Sequence, residues 1–131
     1  MLKVENLSVS YGAINALRGI SFDVKEGEII SLIGSNGAGK TTTLHAISNI
    51  IKKQSGKVIF AGQDVTNVSA DIIVKRNLIQ VPEGRRIFLN MSVKENLEMG
   101  AYTRTDKANI KNDLAKVYEL FPRMKERINQ I

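Results

Sequence analysis

The sequence has 131 residues, 43% of them hydrophobic and 24% charged, the composition of one globular domain or a piece of one. It holds no cysteine and one histidine, which excludes disulfides and thiolate metal centres and leaves little for a histidine-based metal site. The formal net charge is +6, but the cations are scattered and no aromatic–basic interleaving accompanies them. That favours solvated faces and contact with a protein partner over a nucleic-acid stripe.

Residues 2–10 read as a strand. Leu2 and Val4 alternate, then Leu7 and Val9, and the phase change near Asn6 predicts a bulge. Tyr11 and Gly12 end it. Residues 20–24 read as a second short strand, closed by the turn Lys25-Glu26-Gly27. In residues 28–33, Ile29, Ile30, Leu32 and Ile33 make a nearly continuous apolar run, which predicts a strand buried on both faces.

A glycine-rich segment follows, then a helix over residues 40–49 with Leu44, Ile47 and Ile51 on one face. Asn49 is expected to take the left-handed position that ends this helix. Residues 57–61 read as a strand turning at Gly62, and residues 78–81 as another, stopped by Pro82. Beyond Pro82 the pattern turns helical. Ser92 with Glu95 is a capping-box signature, and Gly100 ends that short helix. Thr105 or Asp106 caps a longer one, in which Ile110, Leu114, Val117 and Phe121 recur at helical spacing until Pro122.

The chemistry lies in Gly34-Ser35-Asn36-Gly37-Ala38-Gly39-Lys40-Thr41, which satisfies G-x-x-x-x-G-K-[ST]. Glycines at 34, 37 and 39 allow positive φ and close backbone approach. The loop's N–H groups can then converge on phosphate oxygens, at the positive dipole end of the helix opening at Lys40. Lys40 would bring a full charge to the β- and γ-phosphates, and the Thr41 hydroxyl could ligate Mg²⁺ jointly with phosphate. The motif follows a predicted buried strand and opens a predicted amphipathic helix, the context that gives it meaning. Most phosphate-loop enzymes also need an apolar strand ending in Asp to help hold the metal. Neither residues 20–23 nor residues 58–64 supply one.

The whole chain resembles the first half of an ABC ATP-binding domain. The resemblance is carried by Leu2-Lys3-Val4-Glu5-Asn6-Leu7-Ser8-Val9-Ser10-Tyr11-Gly12, by Leu17-Arg18-Gly19-Ile20-Ser21-Phe22 through Glu26-Gly27-Glu28-Ile29, and by Gly37-Ala38-Gly39-Lys40-Thr41-Thr42. Ser55-Gly56-Lys57-Val58, Ala61-Gly62-Gln63-Asp64-Val65 and Leu78-Ile79-Gln80-Val81-Pro82 extend it. Gln80-Val81-Pro82-Glu83-Gly84-Arg85-Arg86-Ile87-Phe88, with Met91-Ser92-Val93-Lys94-Glu95-Asn96-Leu97, is similar to the ATPases of branched-chain amino acid importers. Relatives that export lipopolysaccharide or import urea share parts of this stretch.

That resemblance implies an α/β fold of the P-loop NTPase, ABC ATPase type. Residues 1–82 would hold an antiparallel β segment and the first part of a parallel core, and residues 83–131 the start of a helical subdomain. It implies a nucleotide site in which Tyr11 stacks on adenine, Ser35, Asn36, Gly37 and Ala38 give backbone N–H groups, and Thr42 adds a hydroxyl to the α-phosphate. Lys40 and Gln80 would be catalytic, and Thr41 and Gln80 would hold Mg²⁺. ATP and Mg²⁺ are the expected ligands. The expected partners are a second ATP-binding subunit, transmembrane permease subunits and, indirectly, a substrate-binding protein, with no nucleic acid.

The expected place is the cytoplasmic face of the membrane, peripherally. No apolar run approaches the ~20 residues that cross a bilayer, and residues 1–5 lack the core of a signal peptide. The signature segment, the Asp-ended strand, the catalytic Glu and the switch His of the family are expected beyond residue 131. The 131 residues alone are accordingly expected to lack turnover. A soluble ABC ATPase acting on ribosomes or DNA is the alternative outside transport. His45 is expected to be a surface or partly packed helix residue, and Arg85 and Arg86 to lie outside the catalytic set.

Overall fold

The structure is a computed structural model that describes residues 1–84 and 86–131, so Arg85 lies outside the described residues. Two compact units are present, Met1–Gln80 and Val81–Ile131.

The first unit is built on an antiparallel sheet of four strands: β1 (Leu2–Tyr11), β2 (Ile14–Val24), β3 (Ser55–Phe60) and β4 (Gln63–Asp64), in the order β2-β1-β3-β4. The anticipated bulge is present. Register slips between Val4 and Leu7, and Asn6 takes φ 48°. Its N–H donates to Ser21 Oγ at 2.8 Å. The extra residue lets Val4, Leu7 and Val9 all face the core, which strict alternation would forbid.

β2 begins at Ile14, not at residue 20. The two-residue loop Gly12-Ala13 closes a hairpin in which Tyr11 pairs with Ile14. The ladder then pairs Asn15, Leu17 and Arg18 with β1, while Ala16 and Gly19 fall at register shifts, so this stretch lacks an alternating apolar signal.

Two helices lie in this unit, α1 (Lys40–Ile47) and α2 (Ala70–Lys75). α1 buries Thr43, Ala46 and Ile47, whereas Leu44, expected on the packed face, is 45% exposed. Eight residues are too few to hold a helix in water unaided. The buried face joins Val4, Leu7, Val9, Leu17, Val58, Val65 and Ile73 in one core, where each fully buried aliphatic side chain contributes about 1.5–3 kcal/mol.

The helix ends as the asparagine predicts. Asn49 has φ 54°; its N–H donates to the Ala46 carbonyl at 3.2 Å and that of Ile50 to the His45 carbonyl at 2.9 Å. This is the paired bonding of a Schellman stop. α2, which periodicity did not reveal, ends the same way at Asn77, φ 67°, with Leu78 N–H donating to Ile73 O at 3.3 Å.

Two predicted strands are not formed. Residues 28–33 and 78–81 enter no ladder among the described residues. Ile29 and Ile33 are 95% and 94% exposed, and Val81 86%. An apolar run buried on both faces needs a neighbour on each side for its N–H and C=O groups, and no described segment pairs with either.

The second unit holds α3 (Val93–Gly100), α4 (Lys107–Leu120) and α5 (Pro122–Glu126). The capping box forms in full: Glu95 N–H donates to Ser92 Oγ at 3.3 Å, and Ser92 N–H to Glu95 Oε2 at 2.7 Å. The next two donors of α3, Val93 N–H and Lys94 N–H, reach the carbonyls of Gln130 and Ile128, both at 2.9 Å. Pro122 ends α4 and serves as the first residue of α5, where a missing N–H costs nothing. Asp106 sits at the N-cap of α4 without capping it, because Arg104 takes its carboxylate at 2.7 and 2.9 Å.

Candidate functional site

Residues 34–38 form an exposed loop leading through the buried Gly39 into α1. Its bend is a turn in which Ala38 N–H donates to Ser35 O at 3.1 Å. Gly39 is the N-cap of α1, with φ 90° and no side-chain cap. Here glycine is obligatory twice over. The conformation is left-handed, and a Cβ would lie 2.7 Å from Leu17 Cδ2 and 2.9 Å from the Ala16 carbonyl oxygen. Strand β2 thus buttresses the loop where it becomes helix.

The first intrahelical bond runs from Thr43 N–H to Gly39 O at 2.8 Å. The N–H groups of Lys40, Thr41 and Thr42 precede it and have no partner within the helix. With no side chain capping them among the described residues, they form a cluster of donors at the positive end of the helix dipole, suited to an anion. Lys40 Nζ donates to the carbonyls of Gly34 and Ser35 at 2.7 and 2.8 Å, which ties the two ends of the loop together. An ammonium has three donors, so Lys40 holds the loop and keeps one N–H to offer. The back-bonding hydroxyl of this helix belongs to the buried Thr43, whose Oγ1 donates to Gly39 O at 2.9 Å, rather than to Thr41 or Thr42.

Tyr11 is 49% exposed at the tip of the β1–β2 hairpin. Its partner Ile14 lies two residues before Ala16, which touches the loop at Gly39. At ~3.3 Å per strand residue this sets the tyrosine backbone about 7 Å along the strand from the loop, within reach of a ligand extending from it.

Gln80 closes the first unit. Among the described residues its Oε1 is buried without a hydrogen-bond partner, a condition that costs a carbonyl oxygen about 1–3 kcal/mol. No hydrogen bond joins it to the loop among the described residues. Such an oxygen suits a hard cation or its water. No cluster of three or more His, Cys, Asp or Glu residues is present among the described residues.

Two contacts escaped the sequence. The Ala16–Leu17 buttress pairs positions some twenty residues from Gly39, and nothing local marks it. Asn49, read only as a helix stop, also donates its side-chain amide to Val65 O at 2.7 Å and Val68 O at 2.6 Å. Its Oδ1 accepts from Lys53 Nζ, which also donates to Ala46 O at 3.0 Å. Burial pushes the Lys53 ammonium below its ordinary value, while Asp64 pulls the other way.

Sheet, loop and helix together have the fold of a P-loop ATPase of the ABC type. The ABC transporter family model matches residues 17–130, and the chain belongs to that family. It is 42% identical over 99% of its length to the high-affinity branched-chain amino acid transport ATP-binding protein BraG of Pseudomonas aeruginosa, of which it covers 55%. It is 30% identical over 95% of its length to a probable branched-chain amino acid transport ATP-binding protein, LivF, of Archaeoglobus fulgidus, covering 52%. Relatives named for molybdate/tungstate import and for lipopolysaccharide export also match. A solved ATP-binding subunit of an ABC transporter superposes with a TM-score of 0.84 at 28% identity, over 98% of this chain and 52% of that one. The chain spans about half the length of the curated relatives it matches.

Proposed function

We propose that this chain forms the phosphate-gripping half of an ATP-hydrolysing, energy-coupling subunit of an ABC importer for branched-chain amino acids. The observation that carries the reading is the uncapped start of α1 at Gly39, its free donors flanked by the Lys40 ammonium. Lys40 and the N–H groups of residues 35–37 and 39–42 bind and orient the β- and γ-phosphates, Ala38 N–H being taken by Ser35 O, so that charge is compensated where it develops during in-line attack by water. The Thr42 hydroxyl adds a contact to the α-phosphate. Tyr11 stacks on the adenine face, adding affinity without reading the base.

Thr41 Oγ1 and Gln80 Oε1 would hold Mg²⁺, which when bound neutralises phosphate charge. Gln80, at the end of its unit, would orient the attacking water and pass the nucleotide state to permease subunits. In this reading the protein works paired with a second ATP-binding subunit at the cytoplasmic face of the membrane. That no helix of the described residues is long and apolar enough to cross a membrane agrees with a peripheral place. The choice of substrate is supported by the identity to BraG across 99% of the chain.

In the second unit, Asn96 supports partner docking. Its side chain accepts from Phe88 N–H at 2.9 Å and donates to the carbonyls of Phe88, Met91 and Ser92 at 3.0–3.1 Å. The exposed Ile87, Phe88 and Leu89 are thereby held beside an apolar groove of about 860 Å³. A fixed apolar surface of this kind suits a permease segment.

Isothermal calorimetry of the full natural polypeptide with ATP, with and without Mg²⁺, tests the assignment. Micromolar, magnesium-strengthened affinity is expected; absence of any Mg²⁺-dependent ATP binding would overturn it.

A further inference from the structure

Thr43 is the one polar side chain buried among the described residues, 3% exposed on the packed face of α1. Its Oγ1 donates to Gly39 O at 2.9 Å, and its N–H donates to the same oxygen at 2.8 Å. Both acceptor positions of that carbonyl are thereby filled. The carbonyl belongs to the Gly39–Lys40 peptide, whose other polar end is Lys40 N–H, the first of the open donors at the start of α1. A peptide unit is planar, so whatever holds its oxygen also aims its N–H.

This peptide follows a glycine at φ 90° that has no side-chain cap, the most permissive residue at a helix start. An ordinary N-cap side chain would steady the turn by accepting from Thr41 N–H or Thr42 N–H. It would thereby consume a donor that an anion can use. The Thr43 hydroxyl fixes the same turn from its carbonyl end and leaves the donors open. It also polarises the peptide, because a carbonyl that accepts a second bond makes its own amide a stronger donor. We infer that Thr43 is a positioning residue for phosphate, its buried hydroxyl aiming and strengthening Lys40 N–H. The inference rests on the proposed gripping of phosphate by the start of α1. Packing alone does not call for the hydroxyl: valine has the same shape, and Gly39 O would keep its backbone bond, so no buried polar group would be orphaned.

The test is Thr43→Val in the full natural polypeptide. Calorimetry gives the affinities for ATP with Mg²⁺ and for inorganic tripolyphosphate, which lacks the base. The Lys40 amide resonance is followed by nuclear magnetic resonance without nucleotide, and thermal stability in parallel. Both affinities are expected to fall about threefold, the size of one charge-assisted bond weakened by lost polarisation. The Lys40 amide proton should move upfield, and stability should not fall. Thr43→Ser keeps the hydroxyl but loses a buried methyl group. It should be less stable than the parent and yet bind both ligands as the parent does. Thr43→Ala carries the test if the valine variant does not fold. Unchanged affinity, or an unmoved Lys40 resonance, in a folded variant without the hydroxyl overturns the inference. So does a serine variant that binds as weakly as the valine one, which marks a packing role, or failure of both the valine and alanine variants to fold. If the parent protein itself shows no Mg²⁺-dependent ATP binding, the reading of the site fails instead, before Thr43 is at issue.

Discussion

Gly56 of β3 lies against Asn6 of β1: a Cβ on Gly56 would stand 2.6 Å from the Asn6 carbonyl oxygen and 2.6 Å from Leu7 Cα. The bulge that turns Leu7 into the core thus brings the backbones of two strands together, and only a residue without a side chain fits between them. Gly56 also has φ 102°. Gly56→Ala is expected to cost about 3 kcal/mol, from overpacking against backbone and from the left-handed conformation. Gly62, with φ 77° and nothing within 4 Å of its Cβ, isolates the conformational part, and Gly62→Ala should cost only about 1 kcal/mol. Denaturant midpoints of the two variants decide. Equal losses would mean that the strands move apart at no cost.

Lys40 carries two tasks at one atom. Its ammonium bridges the Gly34 and Ser35 carbonyls and, in the proposed site, meets phosphate. Lys40→Ala is expected to lower ATP affinity at least tenfold, about 1.4 kcal/mol, and to abolish transport by the full natural polypeptide with its permease. Stability without nucleotide should change by less than about 1 kcal/mol, since the side chain is half-buried and its bonds are to an exposed loop. Normal substrate uptake by the alanine variant would reject the energy-coupling role.

Acid should loosen the second unit. Ser92 holds the Glu95 carboxyl below its ordinary value through a side-chain bond and then a backbone bond. Arg104 does the same for Asp106 and Asp113. A depressed folded value means that the stabilisation is present above the unfolded value, about 3.9 for Asp and 4.3 for Glu, and is lost as pH falls through the folded one. Helicity should therefore be constant down to about pH 4.5 and decline below it. Glu95→Gln keeps a capping-box partner but cannot titrate. Its far-ultraviolet circular dichroism should fall less on acidification than that of the parent; superimposable acid transitions would show that the capping box contributes nothing to them.

What the sequence disclosed was local chemistry. Asn6, Asn49 and the Ser92–Glu95 pair act within a few residues of themselves, through backbone conformation or a side chain bonding the nearest N–H, and each appears where it was read. The backbone course of residues 34–41, a turn that opens into a helix at Lys40, was legible for the same reason. What stayed hidden depends on distant partners. β2 extends to Ile14 because β1 is there to pair with it. The apolar runs at 28–33 and 78–81 imply two-sided burial, but a strand exists only with a ladder, and no composition reveals who supplies it. The Gly39–Leu17 contact and the two Asn49 amide bonds are tertiary, with no periodicity to mark them. Short helices such as α2, with six residues, hold less than two turns and give no moment to detect.

Gln80 offers the sharpest separation of stability from function. Its Oε1 is buried and has no hydrogen-bond partner among the described residues, so in the nucleotide-free protein the amide is a liability that an apolar side chain of similar length would remove. Gln80→Met should raise the stability of the nucleotide-free protein by about 1 kcal/mol, the lower end of the cost of an unsatisfied buried acceptor. The same change removes an oxygen proposed to hold Mg²⁺, so the Mg²⁺-dependent part of ATP affinity should fall while metal-free affinity is kept. Opposite signs in one variant mark a residue retained for a ligand rather than for folding. If Gln80→Met instead destabilises the nucleotide-free protein, measured by denaturant unfolding in EDTA, then the oxygen has a structural partner and its role at the metal loses its support.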